Sequence, residues 1–165
     1  MTLKGMELVD SINYKKISTF LIFPTCTFKC DVLNGCIVCQ NEYLREQSKL
    51  IVIPTLEVCK QFIASGISEA IVCGGLEPLD SIDDVIDLIE TLRYTFKNNS
   101  DIVIYTGYTE EEVMEDKRMR VITTYPNIVI KYGRFIMNDT PRYDETLGVT
   151  LASSNQYAKR YNYED

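Results

Sequence analysis

Cys26, Cys30, Cys36 and Cys39 place four thiols within fourteen residues, spaced C-x3-C-x5-C-x2-C, in the stretch PTCTFKCDVLNGCIVCQN from Pro24 to Asn41. Four soft sulfur donors in one loop, punctuated by Asn34 and Gly35, are a metal site before they are anything else. Three uses compete. All four thiolates close around a tetrahedral zinc or an iron–sulfur cluster and leave no open position. Alternatively, three hold a cluster and leave one iron free for a substrate or cofactor. In the third case the cysteines are merely structural. A disulfide pair is the remaining rival, and the expected compartment argues against it. The stretch MTLKGMELVDSINYKK has no apolar segment of the kind a secretory signal carries, so the expected setting is the cytoplasm, where thiols stay reduced.

The composition narrows the chemistry further. There is no histidine, which removes Ser-His and Cys-His nucleophile pairs, HExxH zinc hydrolases and most imidazole acid–base work. An enzyme of this composition needs a cofactor or metal for its hard step. Seventeen basic against 24 acidic residues, a net of −7, disfavour a nucleic-acid partner. No apolar run approaches the ~20 residues that cross a membrane. At 165 residues the expectation is one domain over 1–165, with a lead-in segment 1–16 and an irregular C-terminal tail 140–165.

The elements that must position the cysteines read as alternating strands and helices. Met6 to Tyr14 is a candidate lead-in strand. Ile17 to Pro24, β-branched and aromatic, predicts a buried strand that runs straight into the cysteine loop. Asn41 to Ser48 reads as an exposed helical turn or loop, and Ile51 to Pro54 is too short to decide. Thr55 to Ala64 predicts a helix capped by Thr55, with Leu56, Val58, Cys59, Phe62 and Ile63 on its apolar face and Gly66 as its stop. Glu69 to Cys73 predicts a second buried strand that enters GGLEPLD. Asp80 or Ser81 then caps an amphipathic helix carrying Ile82, Val85, Ile86, Ile89, Leu92 and Phe96. Asp101 to Tyr105 is a third strand, leading to TGYTEEE and a helix capped by Thr109. Asn127 to Lys131 is a fourth, leading to YGRF. Cys59 and Cys73 read as inert core thiols.

This alternation predicts a parallel α/β sheet with right-handed crossovers. Loops leaving the carboxyl ends of such strands meet on one rim, where ligands bind. Here those loops are the cysteine cluster, GGLEPLD, TGYTEE and YGRF.

A C-x3-C pair, a third cysteine in the same loop and a Gly-Gly-(x)-Glu-Pro turn after the next strand together resemble the radical S-adenosylmethionine (radical SAM) enzymes. The finer details are CQN at Cys39 to Asn41, YTGYTEEE at Tyr105 to Glu112, GRF at Gly133 to Phe135 and SSNQ at Ser153 to Gln156. These look most like the activating proteins of anaerobic ribonucleotide reductases, over about Ile17 to Gln156. Departures are an eight-residue gap between Cys30 and Cys39, where the family usually has two, and Leu76 between the glycines and Glu77.

The resemblance implies an incomplete (β/α) barrel and a [4Fe-4S] cluster on three cysteines, with SAM chelating the fourth iron. One electron into the cluster then splits SAM, and the resulting 5′-deoxyadenosyl radical takes a hydrogen from a glycine of a large partner enzyme. By position, Cys26 and Cys30 match the first two ligands. Cys39 is taken as the third because Asn41 follows it, with Cys36 as the alternative. Phe28 and Val38 are expected against the cofactor, Gly74, Gly75 and Glu77 at its methionyl amino group, and Tyr105 on the rim. The implied partners are a glycyl-radical enzyme and a reductant protein such as flavodoxin. Two other readings are a zinc-stabilised interaction module without catalysis and a radical SAM enzyme acting on a small molecule.

Overall fold

A computed structural model describes residues 1–47 and 49–163. The chain opens with β1 (Thr2–Leu3), β2 (Gly5–Asp10) and β3 (Ser18–Phe23), then two short helices, α1 (Lys29–Asn34) and α2 (Glu42–Glu46). It continues through β4 (Ile51–Val52), α3 (Thr55–Ser65), β5 (Ala70–Gly75), α4 (Ile82–Glu90) and β6 (Asp101–Tyr105). After α5 (Glu110–Glu115) and α6 (Lys117–Val121) come β7 (Ile128–Tyr132), the hairpin of β8 (Arg142–Asp144) and β9 (Val149–Leu151), and β10 (Tyr157–Tyr161). Six strands form one sheet in the order β10-β7-β6-β5-β3-β2. The four central strands are parallel and both edges are antiparallel, so this is a mixed α/β fold around a mainly parallel sheet.

Side chains alternate across each strand, and the two faces have different covers. Leu21, Phe23, Ile71, Cys73, Ile102, Ile104, Ile128 and Ile130 share the larger core with Val58 and Phe62 of α3 and Val85, Leu88 and Ile89 of α4. Each such aliphatic side chain contributes about 1.5–3 kcal/mol by leaving water. On the other face Ala70, Val72, Val103 and Val129 pack with Tyr14, Leu147 and Leu151, which no helix supplies. The helices therefore cover one face, and the opposite face is closed by loop and hairpin segments.

The capping expectations meet mixed outcomes. Gly66 ends α3 at φ 67°, with its N–H on the Ile63 carbonyl, and Thr109 with Glu112 forms a complete capping box on α5. Thr55, expected as a cap, is instead the first helical residue: Pro54 (φ −58°, ψ 136°) takes the flanking place and has no side-chain acceptor to offer. Leu56 and Ile63, expected on the apolar face of α3, are 43% and 42% exposed. Neither Asp80 nor Ser81 caps α4 through its side chain. The Asp80 oxygens are taken by the Thr27 N–H (2.9 Å) and the Tyr108 hydroxyl (2.7 Å), and a 3-10 turn, Pro78–Ser81, leads into the helix.

The tail expected to be irregular over 140–165 is a correction. It carries β8, β9 and β10, and β10 pairs antiparallel with β7 from Tyr157↔Tyr132 to Tyr161↔Ile128. Its polar spelling, YAKRY, is that of an edge strand, whose outward side chains face water and hide the pattern of a buried strand. Ser48, at the end of the expected turn, and the last two residues of the tail lie outside the described residues.

Candidate metal and cofactor site

The loops after β3, β5, β6 and β7 meet at the carboxyl end of the sheet around a cavity of about 310 Å³. Its wall on the helix-free face comes from Phe20, Gly74, Tyr105 and Lys131, one side chain or glycine from each parallel strand. Of the residues expected in the site, Cys26, Cys30, Cys39, Gly74, Gly75, Glu77 and Tyr105 all line this cavity. Phe28, Val38 and Cys36 do not.

The cysteine loop is held from several directions. Phe28 adopts the left-handed conformation (φ 51°) ahead of α1, and Gly35 closes the helix at φ 70°. The Arg45 guanidinium lies 3.8 Å from the Phe28 ring centre and pairs with Asp31. Asp31 in turn accepts the Val38 and Cys39 N–H groups at 3.0 and 3.2 Å. Those backbone donors, with Arg45, hold the Asp31 carboxyl below its usual range. Val38 thus braces the third thiol, and the Phe28 N–H donates to Cys26 Sγ at 3.2 Å; neither residue lines the cavity. Asn34 donates to the Cys30 and Phe135 carbonyls (2.7 and 2.9 Å) and accepts from the Met137 N–H (2.9 Å), fastening the loop to the segment after β7. Asn41 donates to the Gly75 carbonyl at 2.5 Å, fastening its far end to the glycine turn. Cys36 is exposed, and its thiol turns to the Asn34 carbonyl.

The glycines are needed for close approach. A Cβ on Gly74 would stand 2.8 Å from the Phe20 ring, and one on Gly75 (φ +84°) would stand 2.6 Å from Ile22 Cγ2. Glu77 is 6% exposed. Its carboxylate accepts the Gly107 N–H at 2.7 Å and the Leu79 N–H at 3.1 Å, joining the loops after β5 and β6. Burial nevertheless pushes its pKa up to about 7. Tyr105 donates its hydroxyl to the Asn13 carbonyl at 2.5 Å.

The donor set suits a soft metal cluster. Burial raises Cys26 to about 12 and moves Cys39 upward, so metal binding has to displace their protons. Among the described residues no group of three or more His, Cys, Asp or Glu side chains gathers around a single-ion position. A cubane asks for no such convergence, because each thiolate takes its own iron. Cys26, Cys30 and Cys39 line one cavity whose wall includes Gly74, Gly75 and Gly107.

The chain belongs to the 4Fe-4S single cluster domain family, which matches residues 15–157. No curated protein and no solved structure matches it. The chain is therefore a 4Fe-4S cluster domain of mixed α/β fold, as an iron–sulfur protein of the radical SAM type would be.

Asn13, Phe20 and Lys131 line the cavity without belonging to any motif, while Thr106, Gly107 and Gln156 come from the YTGYTEEE and SSNQ motifs, which carried no individual site assignment for them. Gln156 accepts the Ala152 and Ser153 N–H groups and donates to the Gly133 carbonyl at 3.1 Å, which closes the tail over the cavity. The available signal for Lys131 was alternation: Ile128 and Ile130 face the helices, so Val129 and Lys131 face the other way.

Proposed function

We propose that this protein is a radical SAM enzyme whose [4Fe-4S] cluster sits on Cys26, Cys30 and Cys39, with SAM in the adjoining cavity. When bound and reduced by one electron, the cluster supplies reductive cleavage of SAM. The protein's own residues position and shield. Asp31 and Asn41 hold the third thiol and the glycine turn, Gly74 and Gly75 admit a ligand to the backbone, and Glu77 offers a carboxyl to an ammonium. Tyr105 and Phe20 exclude water from the inner wall. The observation that carries this reading is the split of the four cysteines: three face one cavity and Cys36 faces out. Helices on one sheet face and a cavity on the other favour the incomplete (β/α) barrel.

The reaction we assign is installation of a glycyl radical on a large partner in the cytoplasm, with an electron from a reductant protein such as flavodoxin. Supporting it, Val32, Leu33 and Ile37 on the cysteine loop are 80%, 58% and 62% exposed, and Tyr43 at the cavity is 67% exposed. Apolar side chains so placed favour a protein partner over a free small molecule. No helix among the described residues is long and apolar enough to cross a membrane.

The test is anaerobic reconstitution with iron and sulfide, followed by dithionite and SAM. The expected product is 5′-deoxyadenosine, formed at a cluster that Cys36→Ala leaves in place. A colourless protein with one zinc, or a cluster lost on Cys36→Ala with no deoxyadenosine formed, would overturn the reading. Turnover of a small molecule with no large protein present would overturn the partner assignment alone.

A further inference from the structure

Lys131 is the last residue but one of β7, 7% exposed, and it lines the cavity together with Cys30 and Glu77. Its ammonium donates to the Gly133 carbonyl at 2.9 Å, using one of three N–H bonds. The other cations around the cysteines are balanced. Arg134 and Lys29 share Glu112 at 2.8 and 3.9 Å, and Arg45 pairs with Asp31. Among the described residues Lys131 has no carboxylate at ion-pair distance. Burial pulls its pKa down to about 8, while the nearby Glu77 and Cys30 pull it back up. A buried charge without a counter-ion costs several kcal/mol in a fold, and such a charge persists where something negative is to sit beside it.

A [4Fe-4S] cluster on three thiolates supplies that negative charge. In its oxidised form the core carries 2+ and the three sulfurs 3−, so the unit has a net of about −1, and one electron takes it to about −2. A fixed positive charge stabilises the second state more than the first. We infer that Lys131 is the counter-charge that raises the cluster's reduction potential, bringing it within reach of a one-electron donor. This rests on the cluster and on Cys30 as a ligand in the reading above, and not on SAM. The electron comes from an external reductant, dithionite in the test or a reductant protein otherwise. It adds to the iron core, and no bond forms or breaks.

The experiment is an anaerobic redox titration of the reconstituted full chain without SAM, followed by electron paramagnetic resonance of the reduced cluster. Lys131→Met keeps the length of the side chain and removes the charge, Lys131→Gln is a polar neutral control, and Lys131→Arg keeps the charge. At a fixed poise the ratio of reduced to oxidised cluster is expected to fall about tenfold in K131M and K131Q, which for one electron is about 59 mV. K131R is expected to stay within about twofold of the unchanged protein. Neutral variants that titrate with the unchanged protein would overturn the inference. So would a shift in K131R as large as in K131M. Neutral variants that fold but take up no cluster would also overturn it, because the lysine would then serve assembly. A potential shift in a protein that forms no deoxyadenosine would sustain this inference while removing the proposed function.

Discussion

The two ends of the parallel sheet both bury charge, and they treat it in opposite ways. At the amino end Asp101, 3% exposed, is saturated: it accepts from Tyr14 (2.9 Å), Lys16 (2.8 Å) and both Arg160 nitrogens (2.6 and 3.3 Å). Burial opposes its ionisation, yet the combined donors of Arg160, Lys16 and Tyr14 hold its carboxyl below the usual range. At the carboxyl end Glu77 is raised by burial and Lys131 is lowered by it, and both edge a cavity. A fully partnered charge ties β6 to β10 and is architecture. Charges left with spare bonding capacity beside three thiols mark the end prepared for a ligand.

The two ends differ most at the thiols. Cys39→Ala should abolish cluster uptake, read as loss of iron, sulfide and visible absorption after reconstitution, while Cys36→Ala retains all three. At the saturated end Asp101→Ala should leave the cluster spectrum unchanged but lower the urea unfolding free energy by about 3 kcal/mol, since two cations lose their acceptor. The ends should also differ in the sign of their pH dependence in the metal-free chain. Asp101 has a depressed folded pKa, so its contribution is full above the unfolded value and is lost as pH falls through the folded one. Glu77 has a raised one, so the fold binds its proton more tightly, and stability falls as pH rises between about 4.5 and about 7. Comparing urea midpoints of Glu77→Gln and the unchanged chain across that window should show the variant gaining by about 2 kcal/mol. A gap of constant size would contradict the burial argument. The smallest effect belongs to the helix start on the rim: Thr109→Ala removes one arm of the capping box and should cost about 1 kcal/mol with no change in cluster content.

Much of this contrast was legible in the sequence where local chemistry and burial agree. Asp101–Tyr105 was read to the residue, because a continuous β-branched run between polar flanks has one reading. Gly66 and Thr109 followed from capping chemistry alone. The rim of four loops followed from strand order, and seven of the residues expected there line one cavity. What escaped was set by contacts distant in sequence. Lys131 spells a solvated strand end, yet β10 pairs beside it and Gln156 closes above it, so it is buried. Phe28 and Val38 brace the loop because Arg45 and Asp31 claim them, which spacing cannot reveal. Thr2–Leu3 pairs with Ile51–Val52, two segments too short for any periodic signal.

The strand Tyr157–Tyr161 is the neighbour of β7, so the wall behind Lys131 stands only once that strand has been made and paired. The thiols at 26, 30 and 39 leave the ribosome more than a hundred residues earlier. Throughout synthesis they are borne by an unfinished sheet, open to any passing metal or oxidant. Iron and sulfide therefore meet a walled site only once β10 has paired, and until then the thiols depend on their surroundings to stay reduced.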